Sequence, residues 1–169
     1  MTPPDEALRL VLDAVLPLPA AEVPLEEADG LVLAEGLFAE SDTPPFDDSA
    51  MDGWALRADD AAAPGARLRA GAAGYAGAAP GRLEPGTAAR ITTGAPLPEG
   101  ADCVVPKESA RAADGSVSFD APPEAGQHVR RRGSDVRRGE LVVAAGRVFG
   151  PFEAGLFAAQ GRSRVSVVG

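Results

Sequence analysis

Glycine and proline hold 36 of the 169 positions and are spread along the whole chain, which limits its fold more than any other feature. Proline lacks the amide donor that a helix or sheet needs, and glycine loses the most backbone entropy on ordering. A chain punctuated this often cannot build a long helical bundle or coiled coil. Its glycine and proline content still lies below that of unpatterned disorder. Short strands joined by many turns remain. The core must also be lean, because 34 of the hydrophobic residues are alanine and only 42 apolar side chains are larger, mostly 15 Leu, 15 Val and 6 Phe. Fifteen of the sixteen basic residues are Arg, which in an Ala- and Gly-rich chain reads as composition bias rather than fifteen phosphate clamps.

Charge is unevenly distributed within a net of −9. Residues 1–60 carry 15 acids against two Arg, residues 61–129 are near neutral, and residues 130–169 carry eight Arg against three acids. An acidic total argues against a nucleic-acid binder, which needs a basic surface to release counterions. The late arginines can bind a local anion or answer the acidic segment inside the fold. The single cysteine, Cys103, excludes a disulfide framework and any zinc site of several thiolates, and its apolar run reads as a buried strand. His128 is the only histidine, so one chain holds no His-rich metal cage. No basic, apolar leader opens the sequence and no apolar run is long enough to span a bilayer. A cytoplasmic location is the expectation, with no membrane contact.

Thr2-Pro3-Pro4-Asp5 reads as a helix entry with a capping hydroxyl, followed by an apolar stripe at Leu8, Val11, Leu12 and Val15. Pro17 and Pro19 end that helix. Val23–Leu25 is extended, a second helix is expected from about Glu26 to Ala34, and Gly36–Glu40 reads as a strand. Trp54–Arg57, Arg67–Ala70, Ala89–Thr92, Asp102–Pro106 and Ser116–Phe119 are strand candidates between Gly/Pro turns, which suggests a small barrel or sandwich. Residues 70–81 read as a loose strand with loops. Leu141–Val143 and Arg147–Phe149 form an expected hairpin around Ala145-Gly146. A last helix starts at Gly150-Pro151, with Phe152, Leu156 and Phe157 on its apolar face and Gly161 as its stop. The alternating strand Arg164–Val168 then meets the end of the chain, which reads as a cut through a longer protein.

Three loops carry residues suited to chemistry. Asp47-Asp48-Ser49-Ala50-Met51-Asp52-Gly53 offers carboxylates for Mg²⁺ or a hydroxylated ligand, or is an Asx-rich lead-in to a strand with Asp52-Gly53 as a tight turn. Ile91-Thr92-Thr93-Gly94-Ala95-Pro96-Leu97-Pro98-Glu99-Gly100-Ala101-Asp102 presents hydroxyls and amides to an oxyanion, or is a pair of Pro-led turns. Arg130-Arg131-Arg132-Gly133-Ser134-Asp135 offers guanidinium forks to phosphate, or pairs with the acid-rich first sixty residues.

Taken together and in order, these loops are far more specific. Pro44-Pro45-Phe46-Asp47-Asp48-Ser49-Ala50-Met51-Asp52-Gly53-Trp54-Ala55 resembles the motif of the molybdopterin molybdenumtransferase family, that of MoeA and the C-terminal domain of gephyrin. Thr93-Gly94-Ala95-Pro96-Leu97-Pro98-Glu99-Gly100-Ala101-Asp102-Cys103-Val104-Val105 and Arg130–Asp135 are similar to its further motifs. The resemblance covers essentially the whole chain.

The resemblance implies a mainly β chain with a few helices (α+β). An elongated discontinuous domain would be built from 1–43 and 139–169, with a β-rich, barrel- or sandwich-like domain inserted at 44–138. The family's pterin-binding domain would be absent. It also implies the activity: insertion of molybdenum from molybdate into adenylylated molybdopterin with release of AMP, assisted by Mg²⁺, in a homodimer. Asp52 would stand at the active cleft as the catalytic residue, holding a cation or positioning the adenylylated substrate. Thr93 would supply a hydroxyl and loop amides, and Arg130 and Asp135 would order the substrate's charged groups or the loop that covers them. Glu108 is a weaker candidate for a structural ion pair or polar contact, and Trp54 stands where the family commonly has Tyr. Phosphoanhydride cleavage asks for charge neutralisation and in-line positioning more than for a covalent nucleophile. This stretch alone would be inactive, and a non-catalytic dimerisation or scaffold module is the alternative.

Overall fold

The computed structural model describes residues 2–16 and 18–169. In chain order its elements begin with α1 (Pro4–Ala14), β1 (Ala21–Pro24), β2 (Val32–Leu33), β3 (Leu37–Phe38), β4 (Asp48–Ser49) and β5 (Gly53–Leu56). They continue with β6 (Arg67–Gly74), β7 (Thr87–Ile91), β8 (Cys103–Pro106), β9 (Ala110–Ala113) and β10 (Ser116–Phe119). The last are β11 (Val129–Arg130), β12 (Leu141–Val143), α2 (Pro151–Ala159) and β13 (Arg164–Val168). Strands dominate, as the glycine and proline content requires. No helix among the described residues is long and apolar enough to cross a membrane. The chain divides into two units: one contains the residues up to Glu40 together with Arg138–Gly169, the other Ser41–Arg137.

In the first unit, β13 lies at the centre of a three-stranded antiparallel sheet between β1 and β2. Its alternation sends Val165 and Val167 into a core with Leu33, Leu37, Val143, Phe149 and Phe157. Phe149 and Phe157 meet edge to face, with ring centroids 5.6 Å apart. The expected helix at Glu26–Ala34 is instead a 3₁₀ turn at Leu25–Glu27 followed by β2. Gly30 accounts for the difference: at φ +80° it occupies the left-handed region, through which a right-handed helix cannot run. The expected hairpin at Ala145-Gly146 also does not form. β12 pairs with β3, while Arg147 and Phe149 pair with Leu33 and Leu31 through bonds of 2.9 and 2.7 Å.

Both helices depart from expectation in which face is covered. α1 starts after Pro3 without a side-chain cap, so Thr2 does not cap it, and none of its residues is buried. Leu8, Val11 and Leu12 are each about 60% exposed. Pro17, expected with Pro19 to end this helix, lies outside the described residues. α2 buries Phe157 and Glu153, one turn apart, while Phe152 faces solvent. The buried Glu153 carboxylate accepts the Arg147 Nε–H at 2.6 Å, and that bond holds its pKa below the usual glutamate value.

The second unit is organised by a six-stranded sheet in the order β8-β5-β7-β6-β10-β9, antiparallel except for the β6–β7 pair. Its two edge strands, β8 and β9, are neighbours in sequence, joined by a 3₁₀ turn of three residues, Lys107–Ser109. So short a link forces the sheet to curl until its edges approach, which makes a half-barrel. Trp54, Leu56, Leu68, Ala88, Cys103, Val105 and Val117 fill the interior. Ala55, Ile91 and Val104 point the other way and are covered by Ala95 and Leu97. Strands buried on both faces read as continuous apolar runs, which is why Cys103-Val104-Val105 lacks alternation. Burial pushes the Cys103 thiol up to about 12, so it behaves as the core hydrophobe expected of it. β9, rich in Ala with one Arg and largely exposed, carried no strand pattern to read.

Candidate functional site

Asp52 and Thr93 meet because of strand order. β5 lies between β7 and β8 and runs antiparallel to both, so the start of β5 faces the ends of its two neighbours. Asp52 immediately precedes β5, Thr93 lies two residues beyond β7, and Lys107 directly follows β8. Thr93 donates its backbone N–H and its hydroxyl to the same oxygen, Asp52 Oδ1, each at 2.9 Å. The Lys107 ammonium lies 3.8 Å from Oδ2, and the Lys107 amide donates to the Asp52 carbonyl at 3.0 Å. Arg90 on β7 reaches over the Trp54 ring, 5.7 Å from its centroid, and adds positive potential at Asp52. Gly53 is not a tight turn. It is the first residue of β5, where a Cβ would stand 2.0 Å from the Val105 carbonyl oxygen.

The three motif loops are bound to one another through their backbones. Ser49 donates to Ala95 and Gly94 to Ser49, Leu97 donates to Asp47, and β4 pairs with β11 so that Arg130 lies opposite Asp48. Across that pairing the Arg130 fork grips Asp48 with two bonds of 2.8 Å, and Asp48 is buried. Arg131 pairs with Asp47 and Arg132 with Asp42. The arginine run is therefore answered by the acidic segment. Asp135 is exposed, accepts the Ser134 hydroxyl at 3.1 Å and contributes to raising the Arg130 pKa, after the dominant bonds from Asp48. Glu108 lies 3.9 Å from Lys107. The structure thus joins Asp52 directly to Thr93 and Arg130 electrostatically to Asp135. Sequence reasoning gave no role to Lys107 or Arg90; the signal for Lys107 was that it is the only lysine in the chain.

Thr93's backbone and hydroxyl bonds hold the Asp52 pKa below its ordinary 3.8, with help from Lys107 and Arg90. The Asp47 pKa is likewise lowered, first by the Arg132 amide and then by Arg131. A carboxylate whose pKa is depressed by folding stabilises the fold above its unfolded pKa and loses that contribution as pH falls through the folded value. Melting temperature is therefore expected to fall as pH drops below about 4. An Asp47→Asn, Asp52→Asn double variant should flatten that fall, and melting curves that shift in parallel with wild type would count against these pairings.

The same geometry bears on Mg²⁺. Oδ1 of Asp52 receives two donors and Oδ2 faces an ammonium, so the surroundings favour hydrogen-bond donors over a divalent cation. Among the described residues no three His, Cys, Asp or Glu side chains gather as a metal-binding group. These residues do not make a Mg²⁺ site of their own. Asp52 and Thr93 stand on an open surface. A cavity of about 370 Å³ lies elsewhere, on the outer face of β6 and β7, lined by Gly71, Tyr75, Arg82 and Ala89 among others.

A half-barrel unit set within a chain whose two ends share one sheet is the architecture of solved molybdopterin-biosynthesis proteins. The structure of the MoeA protein from Pyrococcus horikoshii OT3 superposes with a TM-score of 0.91 at 34% identity, covering 99% of this chain and 46% of that one. The family model of the MoeA N-terminal region (domain I and II) matches residues 2–161, and the chain belongs to that family. Among curated relatives, the molybdopterin molybdenumtransferase of Synechococcus elongatus is 38% identical over 95% of this chain. Molybdopterin molybdenumtransferase 2 of Mycobacterium tuberculosis is 37% identical over 96%. The chain spans about two-fifths of the length of these relatives, 42% of each.

Proposed function

We propose that this chain is the N-terminal part of a cytoplasmic enzyme that inserts molybdenum from molybdate into adenylylated molybdopterin and releases AMP. The two units serve as the discontinuous domain and the domain inserted into it. The observation that supports this reading is the backbone bonding of all three motif loops to one another, together with the direct Asp52–Thr93 contact between two of them. Thr93 fixes Asp52 as a charged, oriented carboxylate, and cationic groups beside it meet the anionic substrate. Arg130, held by Asp48, and Asp135 shape the adjoining loop that borders the substrate's charged groups. Such a site orients and neutralises without a covalent nucleophile. Because it is open, the other face of the substrate is held by groups outside this stretch, and the chain alone is inactive.

The uncovered apolar face of α1 supports a homodimer in which that face is buried, since a helix rarely leaves Leu8, Val11 and Leu12 to water without a partner. It also favours the second reading, a dimerisation module without catalysis. A chimera in which this chain replaces the matched region of the Synechococcus elongatus relative separates the two. Molybdenum insertion by the chimera, with none by the isolated chain, is the expected result. A folded, dimeric chimera without turnover would leave only the scaffold.

A further inference from the structure

The arginine run is the obvious anion receptor in this sequence, yet Arg130, Arg131 and Arg132 are each held by a hydrogen-bonded ion pair with an aspartate of the 42–48 segment, at 2.8, 2.6 and 2.5 Å. Lys107 is placed differently. Its ammonium approaches Asp52 and Glu108 only to 3.8 and 3.9 Å, beyond hydrogen-bond length, so its three N–H donors are unspent among the described residues. Its side chain is about half exposed. Its backbone is anchored, through the Lys107 amide to the Asp52 carbonyl and through the β5–β8 pairing. A compact ammonium with free donors, flanked by the Asp52 and Glu108 carboxylates but hydrogen-bonded to neither, suits a phosphate-type oxyanion.

We propose that Lys107, rather than the arginine run, supplies the charge that contacts the anionic group of the ligand at this site, with Asp52 and Thr93 as its positioning residues. The ligand class is a phosphate or pyrophosphate group. This rests on the proposed enzymatic reading for its biological meaning, but not for its test. Arg90, stacked over Trp54 on the far side of β5, adds to the same potential, so the anion sits over the β8–β5–β7 sheet end.

The test is binding of inorganic pyrophosphate to the 169-residue chain at low ionic strength, where exposed charges are least screened. Calorimetry gives the affinity and amide NMR gives the location. Saturable binding is expected to move the Thr93, Lys107 and Glu108 amides. Lys107→Met should weaken it about tenfold or more and Lys107→Arg much less, whereas Arg131→Ala should change it about twofold or less. Melting temperature is followed for every variant, so that loss of fold is not read as loss of contact. No binding by the wild-type chain at millimolar pyrophosphate, full affinity in Lys107→Met, or a loss confined to Arg131→Ala would each overturn the assignment. An inactive chimera with Lys107-dependent binding would discard the enzymatic reading alone. An active chimera with binding indifferent to Lys107 would discard only this inference.

Discussion

Gly53→Ala is expected to destabilise the half-barrel by roughly 3 kcal/mol, because the added methyl meets backbone that cannot move aside. Its Cβ would lie 2.0 Å from the Val105 carbonyl oxygen, 2.8 Å from the Val105 carbonyl carbon and 3.1 Å from the Pro106 Cα. All three atoms belong to β8, so relief requires the β5–β8 pairing to open at Gly53–Pro106. That is also where Asp52 and Lys107 emerge, so a site on this sheet end is lost together with the pairing. Conformational freedom plays no part, since Gly53 is not in the left-handed region. Thermal unfolding should show a midpoint about 10 °C lower. A midpoint equal to wild type would mean that β5 and β8 do not approach this closely.

Much of this fold was legible because strand runs and their punctuation are local properties. Ser116–Phe119 and Leu141–Val143 form strands at the positions their patterns marked, and the alternating stretch Arg164–Val168 is a strand that buries Val165 and Val167. Partners were less legible. Nothing in Leu141–Phe149 says that its two apolar arms pair with different segments, because that choice depends on strands more than a hundred residues away. α2 misled for a related reason: three large apolar residues suggested an apolar face, but the face turned inward carries Phe157, packed on Phe149, together with Glu153, so Phe152 points outward.

The candidate site divides along the same line. Asp52 and Thr93 could be named from motifs, and their junction follows once β5 is known to lie between β7 and β8. The arginine run offered two meanings, and the residues alone left both open. The bidentate Arg130–Asp48 bond, formed across the β4–β11 pairing, assigns much of that charge to holding the loops together. Lys107 carried a compositional signal, the only lysine beside fifteen arginines, but its place beside Asp52 depends on where β8 ends.

The second large effect is on activity. Asp52→Asn keeps an oxygen to accept both Thr93 donors and removes only the charge, so in the chimera the fold should persist. Its ion pair with Lys107 is half exposed and contributes little stability. Molybdenum insertion should nevertheless fall about a hundredfold or more, because the charge that orients Lys107 is gone. If Asp52 and Thr93 act as one unit, their losses are not independent. The decisive measurement is therefore kcat/KM for molybdenum insertion by Asp52→Asn, Thr93→Val and the double variant of the chimera, each with its melting temperature. The double variant is predicted to lose no more than Asp52→Asn alone, with the fold retained and only a small drop in melting temperature at neutral pH. Losses that multiply, or turnover that survives Asp52→Asn in a folded protein, would contradict a single site assembled at this end of the sheet.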